Sequence, residues 1–155
     1  MKHIILSTLI SFLFCSLSYA QDAKEADRLV GVWEPSNGKV KVKIDKIGEK
    51  YYGKIVWLKA PKDPETGAAK VDKNNPDEKL RSTPLRGYRI LKDFTYTGDN
   101  EWTEGTIYDP ENGSTYSCTI SMTDKNTLDI RGYIGISALG RTDVWKRLKM
   151  PPKKK

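Results

Sequence analysis

Histidine and cysteine are nearly missing from this chain of 155 residues, which holds one His, His3, and two Cys, Cys15 and Cys118. His3 and Cys15 fall inside the first twenty residues, which read as an export leader, so the working protein has no imidazole and a single thiol. Ser-His-Asp and Cys-His nucleophile systems, His-ligated haem, and zinc sites built on His or several Cys all need residues that are lacking. One thiol cannot form an internal disulfide, so the fold rests on its core alone. Missing too is any alternation of strands with helical stretches of ten or more residues, which excludes a parallel α/β sheet.

What is present begins with the leader. Lys2 supplies a positive start, Ile4 to Leu17 an apolar stretch, and Ser18-Tyr19-Ala20 a small-x-small cleavage site before Gln21. The apolar run is shorter than a membrane span, and Phe14 before Cys15 is unlike a lipid-attachment site. The expectation is export, to the periplasm or beyond, with cleavage after Ala20. The remainder reads as one domain over residues 21–148 with a basic tail at 149–155. The 37% hydrophobic residues of the whole chain suit a globular protein with one core.

The formal charge of +7 is unevenly placed. Lys146, Arg147, Lys149, Lys153, Lys154 and Lys155 follow Trp145, and with Lys2 set aside the segment 21–145 balances 20 basic against 20 acidic residues. A frayed, solubilising end explains such a tail, with weak contact to anionic envelope surfaces as its functional counterpart. No aromatic residues interleave with the lysines, so nucleic acid is not expected as a partner.

Between the ends, apolar residues recur in twos. Val40, Val42 and Ile44 alternate with Lys39, Lys41 and Lys43. Tyr51, Gly53, Ile55 and Trp57 share one parity, as do Trp102, Glu104, Thr106 and Tyr108, then Tyr116, Cys118, Ile120 and Met122, then Leu128 and Ile130. With Gly31 to Glu34 first, a run from Tyr88, and Arg141 to Leu148 last, about eight strands are predicted. Turn residues such as Asn37-Gly38 and Asp109-Pro110-Glu111-Asn112-Gly113 separate them. The expected fold is all-β: an antiparallel up-and-down barrel of about eight strands, with a β-sandwich as the alternative.

The connection from Lys59 to Arg86 is far longer than a hairpin. Asn75 as cap, Pro76 at the first helical position and Glu78 in a capping box predict one short helix near residues 76–82. Asp63, Glu65, Asp72, Asn74 and Asp77 lack the spacing of a calcium loop, so the segment reads as a polar loop and no metal is expected.

Gly31-Val32-Trp33 at the first strand, with Arg141 and Arg147 flanking Trp145 on the last, resembles the Gly-x-Trp and terminal-Arg pairing of the lipocalin-like (calycin-like) superfamily. That resemblance implies an Arg stacked on the Trp, closing one barrel end; Trp33, Arg141 and Trp145 are the closure candidates. The segments YYGKIVWL (51–58), NPDEKLRSTPLRG (75–87), GTIYDPENGSTY (105–116) and RGYIGISALGRTDVW (131–145) are similar to the bacterial exported domain-of-unknown-function family 2147. The resemblance implies a small lipocalin-like barrel and supplies no catalytic residue, cofactor or ligand.

If the parity of β residues 102–108 points inward, Glu104 enters the barrel between aromatics and needs a partner. Arg131 and Arg141, around the Gly-rich segment 132–140, are candidates to meet it or a ligand carboxylate. Trp102, Glu104, Tyr108, Tyr116 and Arg131 are therefore the expected ligand-binding residues. Gly105 leaves open a bulge that would turn Glu104 to solvent. Ile134, Ile136, Ala138 and Leu139 are expected to fold inward as a plug, the alternative being an apolar lip. Cys118 reads as a small buried hydrophobe. The expected activity is noncatalytic binding of a small, partly apolar ligand. A cell-envelope interaction module with a filled barrel is the alternative, and a two-carboxylate hydrolase is a distant third.

Overall fold

The structure, a computed structural model, describes residues 23–149, so the leader reading at 1–20 and nearly all of the basic tail lie outside the described residues. Eight strands run in sequence order around a closed antiparallel barrel. They are β1 (Gly31–Glu34), β2 (Val40–Ile47), β3 (Lys50–Leu58) and β4 (Arg89–Gly98), then β5 (Glu101–Asp109), β6 (Ser114–Asp124), β7 (Thr127–Tyr133) and β8 (Arg141–Arg147). Pairing of β1 with β8 closes the sheet and excludes the sandwich. Each strand predicted from period-two alternation is present, because one face of each is drawn into a common interior.

The ladder has several register shifts, and three of them bear most on which residues those are. Val42 pairs with Ile55 and Lys41 with Trp57, so Val56 is an extra residue on β3. The expected inward turn of Trp57 is thereby reversed: Trp57 is 41% exposed under the Lys41 ammonium, and Leu58 takes the interior position. On β4, Lys92 and Asp93 together oppose Tyr52; on β5, Thr103 and Glu104 together oppose Thr119. Asp93 and Glu104 both adopt the left-handed conformation, at φ 65° and 61°. The two distortions lie opposite each other across the β4–β5 pair and bring Phe94 flat against Gly105. Any Cβ at Gly105 would overlap the Phe94 ring.

The lower end is sealed. Residues 23–26 are helical and run into a 3-10 turn, Asp27–Leu29. Leu29 and Trp33 are fully buried, and Trp33 Nε1 donates to Leu29 O at 2.9 Å. Arg147 lies over the Trp33 ring, 4.1 Å from its centroid. Its guanidinium also donates to Lys125 O at 2.9 Å, Val30 O at 3.0 Å, and Arg28 O. A Cβ on Gly31 would come within 2.5 Å of Arg147 Nη1, which is why glycine precedes Trp33 by two. The closing arginine is Arg147. Arg141, expected in that role, begins β8 at the opposite end of the barrel, and Trp145 packs inside, paired with Leu128.

Arg147→Ala removes a cation-π contact and several charged hydrogen bonds at once, and is expected to cost about 2–3 kcal/mol. Urea unfolding should show a lower midpoint with an unchanged slope. A wild-type midpoint would mean that the seam closes without this side chain.

Candidate functional site at the open end of the barrel

Solvent access to the inner face differs between the two halves. In the lower half, Val42, Ile44, Tyr51, Phe94, Trp102, Ile120 and Leu128 are all at most 1% exposed, so side chains fill the barrel there. In the upper half, the inward positions Val40, Ile107, Tyr116, Gly132 and Asp143 are only half-buried, and Arg141 is exposed. The result is a shallow bowl rather than a channel.

Register places the side chains of this bowl. Ile107 pairs with Tyr116, Gly132 with both Cys118 and Arg141, and Ile130 with Asp143, and directly paired residues share a face. A Cβ on Gly132 would touch Ile107 at 3.4 Å and Tyr116 at 3.7 Å, so the glycine leaves the space between them open. Tyr116 Oη accepts from Asn112 Nδ2 at 3.0 Å. Asp143 accepts from Trp145 Nε1 at 2.8 Å and from the Ser36 hydroxyl, which ties the β1–β2 turn to β8. Lys39 on that turn meets Glu111 on the β5–β6 turn at 2.6 Å. The Arg141 guanidinium makes no hydrogen bond or ion pair among the described residues and stands as a free cation at the rim.

The five expected ligand residues separate. Tyr116 lines the bowl. Trp102 points inward but lies in the sealed half, wedged against Tyr96 and Tyr51 with ring centroids 5.1 and 6.3 Å away. Its Nε1 has no acceptor among the described residues. Glu104 does not enter the barrel: the β5 bulge turns it to solvent, 3.7 Å from Lys50. The same bulge reverses the parity beyond it, so Tyr108 lies on the outer face beside its register partner Thr115.

Arg131 also lies outside. It donates to Ser137 O at 2.8 Å, Ala138 O at 3.1 Å and Thr142 Oγ1 at 2.9 Å, pinning the 3-10 turn Ser137–Leu139 to the wall. The segment it holds is not the expected plug, because Ile134, Ile136 and Leu139 stand 76%, 63% and 79% exposed. Asp143 was not anticipated. Its signal was available, since Arg141, Asp143 and Trp145 share one parity on β8.

Tyr108 is buried outside the barrel because the long loop covers it. Its hydroxyl donates to Asp72 Oδ1 at 2.8 Å; Asn75 Nδ2 donates to Asp72 Oδ2 at 2.6 Å and to Tyr88 Oη at 2.9 Å. Asp72 is fully buried, with both carboxylate oxygens bonded. Burial and the Asp72 carboxylate hold the Tyr108 phenol well above its ordinary pKa. Because Asn75 serves this node, the expected helix starts later and is shorter. Asp77 caps a 3-10 turn, Glu78–Leu80, by accepting from Lys79 N at 3.0 Å. Asp63 likewise caps a turn, accepting from the backbone N–H groups of Glu65 and Thr66. Among the described residues no group of His, Cys, Asp or Glu is placed to hold a metal ion.

An eight-stranded up-and-down barrel, sealed at one end by a Trp-Arg stack and open at the other, defines the lipocalin-like class of small barrels. The chain belongs to the family described as "Uncharacterized protein conserved in bacteria (DUF2147)", matched over residues 31–147. Among solved structures it is similar to protein HP1028 of Helicobacter pylori, described as belonging to the lipocalin family. The identity is 26% and the TM-score 0.67, with 78% of this chain and 83% of that chain covered. An octameric penicillin-binding protein homologue from Pyrococcus abyssi matches at 11% identity and a TM-score of 0.44, covering 81% of this chain and 20% of that one, too distant to carry an argument. No curated protein matches the sequence.

Tyr108→Phe leaves Asp72 one donor short in a buried site and is expected to cost about 1–3 kcal/mol. Calorimetry or urea titration measures it, and a neutral result would mean that the node does not anchor the loop. Burial pushes the Cys118 thiol up to about 12. The native thiol should resist maleimide at neutral pH and react only on unfolding. A raised folded pKa stabilises below the unfolded value of about 9 and is lost above it, so stability should fall as pH rises from 9 toward 12. Rapid native labelling would contradict both expectations.

Proposed function

We propose that the protein is an exported, noncatalytic binding protein that takes a small, partly apolar ligand at the open end of its barrel. The observation that carries this reading is the half-open inner face: Ile107 and Tyr116 supply an apolar and aromatic wall, Gly132 leaves room between them, and Arg141 is an unpaired cation at the rim. Arg141 and the Tyr116 hydroxyl would orient the ligand's polar end. The lipocalin description of HP1028 supports small-ligand binding in general. The leader pattern from Met1 to Ala20 supports export, periplasmic or further. This reading needs no cofactor or metal, takes no nucleic acid, and leaves the basic tail a weak contact with anionic envelope surfaces.

One observation favours the second reading, a cell-envelope interaction module. The lower barrel is filled, and Ile134, Ile136 and Leu139 form an exposed apolar lip held firmly by Arg131.

Native mass spectrometry with organic extraction, and titration with the neutral probe N-phenyl-1-naphthylamine, separate the two. A co-purifying small molecule, or saturable probe binding weakened about tenfold by Tyr116→Ala, is expected for the first. A clean apo mass with no probe binding would overturn it and send the search to partners captured through the lip.

A further inference from the structure

Two hollows lie between the long loop and the upper end of β3. One cavity of about 240 Å³ is floored by Leu58, Pro61, Ala69 and Pro84 and rimmed by Lys62, Lys70 and Arg86. Arg86 also borders a second, more open hollow of about 500 Å³, reached by Lys54 and by the backbone around Ile55 and Gly87. The two form one trough that shares Arg86, apolar at one end and basic throughout, with no carboxylate in its lining.

The loop's own hydrogen bonds place those cations. Lys62 bridges to Ala69 and Val71 to Pro84, while Lys70 N donates to Pro61 O and Leu85 N to Lys70 O, both at 2.9 Å. Lys62, Lys70 and Arg86 therefore project from a folded, anchored segment, and the buried Asp72 node fixes it to the wall. Like charges gathered this way repel unless counter-charge is near. Of the loop's acids, Asp63 caps a turn, Asp72 meets Tyr108, Asp77 caps the 3-10 turn and Glu78 pairs with Arg81 at 3.1 Å, while Glu65 lies outside the trough's lining. Lys54, Lys62, Lys70 and Arg86 make no side-chain hydrogen bond or ion pair among the described residues.

We propose that this trough is a binding site for a small anionic amphiphile: a phosphate or carboxylate head held by Arg86 and Lys70, and a short acyl chain laid into the cleft between Leu58, Pro61, Ala69 and Pro84. A guanidinium with an ammonium beside it suits an oxyanion head, Arg by its planar pair of donors and Lys as a point charge. The apolar cleft falls below the usual size of a drug-like pocket, so it takes one short chain and excludes a diacyl body. Its lining shares no residue with the bowl at the open end, which it approaches where Leu58 pairs with Val40.

Calorimetric titration of the protein with octyl phosphate, octanoate, inorganic phosphate and octanol, alongside amide chemical-shift mapping, tests this. Octyl phosphate or octanoate should bind in a salt-sensitive manner and shift the amides of Leu58, Ala69 and Arg86, and whichever binds tighter identifies the head group as phosphate or carboxylate. Inorganic phosphate and octanol should each bind at least about tenfold more weakly. Arg86→Gln with Lys70→Gln should weaken octyl phosphate about tenfold or more and leave the thermal midpoint unchanged. Absence of binding, equal binding of octanol, shifts centred on Tyr116 and Arg141, or indifference to the double variant would each overturn the proposal. None of these outcomes bears on neutral-probe binding in the bowl.

Discussion

Closure of this sheet rests on a seam in which only two residue pairs are registered, Trp33 with Arg147 and Glu34 with Lys146, because β1 is four residues long. So short a ladder contributes few hydrogen bonds, and one side chain reinforces it. Arg147 stacks on Trp33 while its donors gather carbonyls from the approach to β1 and from the β6–β7 turn, segments that the seam would otherwise leave apart. The glycine at position 31 and the 3-10 turn that receives the Trp33 indole follow from the same requirement. With the lower end sealed in this way, any opening in the barrel has to be at the other end.

Packing along the axis accounts for the remaining asymmetry. Two left-handed non-glycine residues, Asp93 and Glu104, distort adjacent strands at one level, and there Phe94 closes onto Gly105. Above that level the inner positions carry Gly132 and the polar Asp143, and Val40, Ile107 and Tyr116 are only half-buried. The bowl is the space that this change in residue size leaves.

The long loop solves a different problem. The bulge on β5 leaves Tyr108 on the outer wall, where an uncovered aromatic would face water. The loop buries it under Asp72 and Asn75, and every polar atom so buried finds a partner. The same loop carries Lys62, Lys70 and Arg86, which rim the trough.

Much of the architecture was legible in the residues. Period-two alternation and turn chemistry gave the eight strands and their order, because hairpin connectivity and strand period are local properties of the chain. The Gly-x-Trp motif pointed to a closed end, and the isolated Cys118 read as core. Local pattern could not say which parity faces inward beyond a bulge, since one inserted residue inverts every later side chain. For that reason the parity of Tyr108 and Trp57 is inverted and that of Tyr116 is not, while the bulge that Gly105 left open decided Glu104. Nor could it say which of two arginines on β8 reaches Trp33, or that Asp143 and Arg141 open onto the bowl, because both depend on register between strands distant in sequence. The sequence by itself determined the strands, their order and the chemistry that is excluded. Only tertiary pairing, with its bulges and its two-residue seam, decided what points inward, and therefore where a ligand has room.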